Sequence, residues 1–188
     1  MYDSIKKELF KEKIFKNMHW LIFKRHIEYV EFKKNEYLTK PNQIEGYLYF
    51  IVSGGVKLFY ETEFKDINID FRFENTFTSC YGSFLTQQPS VISMQSIEDT
   101  KLIRISYKSM KQLNKYRAGE RISKQNAETL FLQKEKREAL LLLHEPDSRY
   151  LRLMNTNPEW FQRISQKNIA SYLDISPETL SRIKKRNL

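Results

Sequence analysis

The chain has 188 residues, 40% of them apolar, and a net charge of +9 from 32 Lys and Arg against 23 Asp and Glu. That is enough for one large domain or two small ones, excludes a disordered chain, and points to a polyanionic partner, nucleic acid before an anionic membrane. A single cysteine, Cys80, and three scattered histidines, His19, His26 and His144, exclude an internal disulfide and any cysteine-clustered metal site.

The opening segment, MYDSIKKELFKEK, is charged throughout and is not a signal peptide. No apolar run approaches the ~18 residues of a membrane span, so the expected location is the cytoplasm, with no membrane partner. Ile5, Leu9, Ile14, Met18, Leu21 and Ile22 recur at roughly helical spacing and predict a helical start. From about Val30 the pattern becomes that of strands. FKKNEYL reads as strand, turn and strand, and KPNQIEG as a turn cluster. YLYFIV (47–52) is a continuous apolar run of β-formers, and SGG (53–55) permits a sharp reversal into VKLFY. INIDFRF alternates strictly, which predicts Ile67, Ile69, Phe71 and Phe73 on the buried face and Asn68, Asp70 and Arg72 on the other. VISMQSI and KLIRIS add two strands. Many short strands separated by turn signals predict a barrel or sandwich between about residues 30 and 106.

Helical spacing returns after Tyr107. A long charged helix is predicted from Ala118 to His144, with Ile122, Asn126, Leu130, Gln133, Arg137 and Leu140 as a seam for a partner helix. Pro146 is expected to stop it, Asp147 or Ser148 to cap the next helix, and Asn157-Pro158 to break the chain again. Two short helices then follow in SQKNIASYLDISPETLSRIKK (165–185). Ser165 caps the first and Ser176 the second, with Pro177 at a position where a missing N–H costs nothing. Ile169, Ala170, Leu173, Leu180 and Ile183 form the inner side. Glu178, Ser181, Arg182 and Lys185, at i, i+3, i+4 and i+7, form one outer polar stripe. A helix-turn-helix needs this division: an apolar side to fix the crossing and a polar side free to enter the major groove. Arg can read guanine bidentately and Glu can accept from cytosine. Lys184, Lys185 and Arg186 would add sequence-blind phosphate attraction. An ordinary helical hairpin with a solvated charged face is the plainer alternative.

YLYFIVSGGVKLFY, SIEDTKLIRISYKSM and SQKNIASYLDISPETLSRIKK together resemble the Crp/Fnr family of bacterial transcription regulators, in particular its short members typical of Bacteroidetes. The resemblance implies an α+β architecture: a cyclic-nucleotide-binding-type β-barrel (jelly roll) with flanking helices, a long dimerisation helix and a C-terminal helix-turn-helix domain. The expected division is residues 1–117, 118–145 and 146–188. It implies DNA contacts from Ser165, Gln166, Ser176, Pro177, Glu178, Thr179, Ser181, Arg182, Lys184 and Lys185, on double-stranded DNA with a pseudo-palindromic site read by a homodimer. RNA polymerase is a further partner it implies.

Three departures qualify the resemblance. Pro177 stands where cyclic-AMP-responsive members have a base-reading Arg, and Asp174 stands for the usual turn glycine. The effector cassette, with candidate residues Phe77, Ser79, Cys80, Tyr81, Gly82, Ser83, Ser90 and Val91, puts Cys80 and Ser90 at the ribose- and phosphate-binding places, and no Arg or Lys lies from Asn75 to Thr100. A buried phosphate without a cation is disfavoured, so cyclic AMP and cyclic GMP are not expected ligands. The effector is unknown: Phe77, Tyr81 and Phe84 plug the site, or an uncharged ligand meets Ser79, Ser83 and Ser93. Six residues follow Arg182, fewer than the roughly ten a two-stranded wing needs, so no wing is expected.

Enzymatic activity is not expected. No histidine lies between His26 and His144 to build a metal site on the strands, and there is no phosphate loop, nucleophile elbow or Cys–His pair. No cofactor or metal is expected; a lone Cys80 cannot hold an iron–sulfur cluster. The competing reading is a protein-binding signalling module of the same fold that binds no specific DNA.

Overall fold

A computed structural model of the chain describes residues 2, 5–7 and 17–187. Leu9, Ile14 and the side chain of Met18, all part of the expected first helix, lie outside the described residues. Within them a helical turn covers 5–7 and helix α1 covers Asn17–Lys24. Ile5 and Phe23 are buried, but Leu21, expected on the same apolar stripe, is exposed.

Among the described residues eight strands follow: β1 (Ile27–Phe32), β2 (Tyr37–Thr39), β3 (Tyr47–Ser53), β4 (Val56–Glu61), β5 (Asp66–Arg72), β6 (Phe77–Thr78), β7 (Ser93–Ser96) and β8 (Thr100–Ser106). They form two four-stranded sheets, in the orders β1-β8-β3-β6 and β2-β7-β4-β5, as a jelly-roll sandwich does. β8 lies antiparallel between β1 and β3, with Ile103 opposite both Tyr29 and Phe50. Phe50, Ile103, Ile105 and Leu48 form the heart of the core, each contributing about 2 kcal/mol by burial. The β3–β4 reversal needs Gly54: its φ is +91°, and a Cβ there would meet the Asp99 carbonyl oxygen at 2.6 Å.

Short helices α2 (Tyr81–Thr86) and α3 (Tyr107–Leu113) precede the long α4 (Arg117–Leu143). Then come α5 (Pro146–Thr156), α6 (Trp160–Arg163), α7 (Gln166–Tyr172) and α8 (Pro177–Asn187). Pro146 does not merely stop α4. It opens α5 at the first helical position, where its missing N–H is harmless; Glu145 holds the cap place, not Asp147 or Ser148.

The chain divides into two compact units: Met1–Leu58 with Phe71–Glu128, and Phe59–Asp70 with Thr129–Leu188. The tip of the β4–β5 hairpin therefore belongs with the C-terminal helices. This explains why the strict alternation of INIDFRF misleads. Asn68 is fully buried and Arg72 nearly so, while Ile67 and Ile69 are only half-buried. In the hairpin tip, the polar face of the strand meets α7.

Candidate nucleic-acid interface

The α7–α8 pair follows local chemistry. The Ser165 hydroxyl accepts from the Asn168 N–H at 3.3 Å, and the Ser176 hydroxyl from the Thr179 N–H at 3.1 Å, so each helix starts at a side-chain cap. Between them Asp174 takes φ +54°, a left-handed conformation that Asp tolerates better than most residues. Ile169, Ala170, Leu173, Leu180 and Ile183 are all buried, where they fix the crossing. Glu178, Ser181, Arg182 and Lys185 are all exposed. Arg182 leans back along its helix, Nη2 donating to the Thr179 hydroxyl at 3.2 Å. The Glu178 carboxyl is held below its ordinary range by its own backbone N–H, then by the Ser176 hydroxyl and the Arg182 charge, so it is an anion at neutral pH.

The basic end of α8 is not uniformly free. Arg186 donates to both carboxylate oxygens of Asp147, at 2.8 and 3.0 Å, tying the last turn of α8 to the first of α5. Lys184 is half-buried; Lys185 points outward. Ser165, Gln166, Ser176 and Pro177 are exposed and Thr179 half-buried. Arg149 is the hub beneath. Its guanidinium donates to the carbonyls of His144 (2.7 Å), Leu141 (2.8 Å) and Leu173 (3.0 Å). One cation thus closes the C-terminal ends of both α4 and α7, where carbonyls lack partners and the helix dipole is negative.

The cassette is closed by its own side chains. Phe84 lies in the core, stacked on Tyr81 and edge-on to Tyr107 at 5.6 Å, and Phe77 meets Phe50 edge-on at 5.1 Å. Its serines are turned to backbone: Ser79 donates to the Tyr47 carbonyl at 2.9 Å, Ser90 to the Ile92 carbonyl at 2.7 Å, and Ser83 to the Gln88 carbonyl. Two expected members lie elsewhere: Val91, in the loop after α2, is 71% exposed, and Gly82, in the first turn of α2, is at the surface. The sequence reading missed Glu45, which is 2% exposed. Its carboxylate accepts from the Thr39 hydroxyl (2.6 Å), the Tyr47 N–H (3.0 Å) and the Cys80 N–H (3.5 Å). Burial raises its pKa, opposed by those hydrogen bonds. Burial, and then the Glu45 charge, push the Cys80 thiol up to about 12, so it is no redox nucleophile at neutral pH.

Residues 29–117 match the family described as Cyclic nucleotide-binding domain. That match runs from β1 to the start of α4 and so spans the sandwich. Among solved structures, the chain is similar to the cyclic-di-GMP-responsive global regulator CLP of Xanthomonas campestris, with 20% identity, a TM-score of 0.71, and 92% of this chain and 91% of that one covered. It is similar to FixK2 of Bradyrhizobium japonicum, at 18% identity and TM-score 0.69, covering 85% and 83%. It is also similar to a Eubacterium rectale protein assigned to the Crp/Fnr transcriptional regulators, at 15% identity and TM-score 0.73, covering 95% and 86%. Comparison with curated proteins gave no significant match. The chain shares its fold with these proteins, two of which are described as regulators. Among the described residues no helix is long and apolar enough to cross a membrane, and no group of three or more metal-ligating side chains gathers.

The expected seam on α4 does not form one free face. Ile122, in the core cluster beneath the sandwich, and Asn126 are both buried within the first unit. Leu130 and Leu140 are half-buried and Gln133 is exposed. Arg137 turns inward in the second unit, Nη2 donating to the carbonyls of Asn68 (3.1 Å) and Tyr172 (3.4 Å), with its guanidinium over the Tyr172 ring. The apolar residues left exposed there are Phe131, Leu132, Leu142 and Leu143. The two pairs are eleven residues apart, close to three turns, and so share a face. The sequence spacing missed this because it weighed polar and apolar members alike.

Proposed function

We propose that the chain is a homodimeric, sequence-specific DNA-binding transcription regulator that does not respond to cyclic AMP or cyclic GMP. The observation that carries the DNA reading is the α7–α8 pair itself: two capped helices, a left-handed Asp174 turn, a buried inner set, and an exposed outer stripe of Glu178, Ser181, Arg182 and Lys185. In this reading α7–α8 is a helix-turn-helix and α8 enters the major groove, with Arg182 and Glu178 reading base edges and Lys185 contacting phosphate. Ser165, Gln166, Ser176, Pro177 and Thr179 line the DNA-facing N-terminal ends of the two helices. A dimer built on the Phe131, Leu132, Leu142 and Leu143 face of α4 would present two recognition helices to two half-sites about 34 Å apart.

The cassette supports the second half of the reading. The positions for ribose and phosphate hold Cys80 and Ser90, and the Cys80 N–H already faces the Glu45 carboxylate. An incoming phosphate would meet a buried acid and no Lys or Arg from the cassette.

Selection from a randomised duplex library at low salt tests the function: one enriched, two-fold-related sequence is expected, and recovery of none overturns the regulator in favour of a protein-binding module. Titration calorimetry with cyclic AMP and cyclic GMP should show no heat of binding; micromolar binding of either would refute the closed cassette. Sedimentation velocity on Phe131→Glu/Leu142→Glu should show monomer where the wild type sediments as dimer.

A further inference from the structure

The tip of the β4–β5 hairpin is bonded to α7, the first helix of the pair. The Ser171 hydroxyl donates to the Asp66 carbonyl at 2.8 Å and accepts from the Asn68 N–H at 2.9 Å. The Asn68 side-chain amide reaches the Asn168 carbonyl at 3.4 Å and the Asn168 side-chain oxygen at 3.3 Å. From α4, Arg137 bonds the Asn68 and Tyr172 carbonyls. Hairpin, α4 and α7 therefore meet in one polar junction around a fully buried Asn68.

Two properties distinguish this junction from ordinary packing. It is incompletely paired: among the described residues, Asn68 Oδ1 and Arg137 Nε are buried without a hydrogen-bond partner. Such atoms recover solvation when the contact opens, so the junction is poised to open. It is also placed against binding. The hairpin tip carries Glu61, Glu63, Asp66 and Asp70 against one cation, Lys65. It is bonded to Asn168, in the first turn of α7, beside the cap Ser165. In the DNA-binding reading that end of α7 approaches phosphates, and an acidic segment held there repels them.

We propose that the β4–β5 hairpin is an autoinhibitory latch: bonded through Asn68 to Asn168 and Ser171, it holds its acidic tip beside the N-terminal end of α7 and opposes the approach of DNA phosphates, and its release removes that opposition. This rests on the DNA-binding reading above. Observed affinity is then the intrinsic affinity scaled by the fraction unlatched.

Ser171→Ala removes both Ser171 hydrogen bonds at a half-buried helical position where Ala is a better helix former, so the variant should fold. Asn68→Ala cuts the junction from the other side. Two measurements are made on the full-length proteins. Hydrogen exchange, with no DNA present, should quicken in residues 166–172 of both variants. Fluorescence anisotropy with the selected duplex, and with a scrambled duplex of equal length, should show binding tightened about three- to tenfold, the effect of two modest hydrogen bonds. A variant that binds where the wild type does not is the same result in stronger form. Unchanged exchange means there is no latch. Faster exchange with unchanged or weaker affinity means the contact positions α7 and does not block it, and overturns the inhibition while leaving the DNA-binding reading intact. If neither wild type nor variants bind any duplex, the DNA-binding reading itself fails, and the brake with it.

Discussion

The cassette of the sandwich and the C-terminal helix pair use similar residues to opposite ends. Both contain serines, a carboxylate and a short helix. In the cassette Ser79, Ser83 and Ser90 donate inward to backbone, Glu45 is 2% exposed, and aromatic rings fill what space remains. In the helix pair Ser165 and Ser176 cap the helices, Glu178 and Arg182 stay in solvent, and the apolar residues face inward. The first region has its polar groups satisfied and offers a ligand little; the second keeps charged donors and acceptors outside.

The contrast breaks most severely at Arg149. Replacing it with Ala removes three charge-assisted bonds to helix-end carbonyls and should cost the C-terminal unit about 3 kcal/mol or more. The two tryptophans allow this to be read by unit, since Trp20 belongs to the first and Trp160 to the second. Urea unfolding followed by Trp160 fluorescence in a Trp20→Phe background should shift strongly. A shift confined to Trp20 in a Trp160→Phe background would contradict the assignment.

Arg182→Ala tests the outward-facing side. It should weaken binding to the selected duplex by about 1–3 kcal/mol and relax the preference at one position in each half-site, with the urea midpoint unchanged. Preserved preference would remove Arg182 from the readers.

Glu45→Gln tests the inward-facing side. Burial raises the Glu45 pKa above its ordinary 4.5, so the folded chain holds this proton to higher pH than the unfolded one. Wild-type stability from this group therefore falls as pH climbs from 4.5 through the raised value, at up to about 1.4 kcal/mol per unit, and then levels off. The Gln variant should lack that slope. Parallel curves for the two proteins would place Glu45 in solvent.

The smallest effect is expected at Cys80. With its thiol pushed up to about 12, iodoacetamide at pH 8 should leave the folded protein unalkylated and label it only in urea. Rapid labelling of the native chain would mean the cassette opens.

The helix pair was legible because its determinants are local. Ser165, Pro177, the Asp174 turn and the spacing of Ile169, Leu173, Leu180 and Ile183 act within a few residues of one another. The presence of several short strands between about residues 30 and 106 was legible from β-branched and aromatic runs and from the glycines at 54 and 55; their order in the two sheets was not. Asn68 was not. Alternation assigned it to a solvent face, whereas its partner Ser171 lies 103 residues away. Glu45 read as part of a solvated turn because its three donors come from separate stretches of chain. The face of α4 was misassigned for the same reason: Ile122 and Asn126 look like seam residues until the core that takes them is known.

The interleaving of the two units bears on how the protein can be made and rearranged. Residues 59–70 leave the ribosome long before the helix they bond to, and they are flanked on both sides by chain that belongs to the other unit. Residues 129–188 thus do not make up the C-terminal unit by themselves; they close on a hairpin tip that was made earlier. A gene fusion that grafted residues 129–188 onto a foreign sensor would leave Asn168 and Ser171 facing water. The last two helices are in this sense not a detachable cassette but share one hairpin with the sandwich that precedes them.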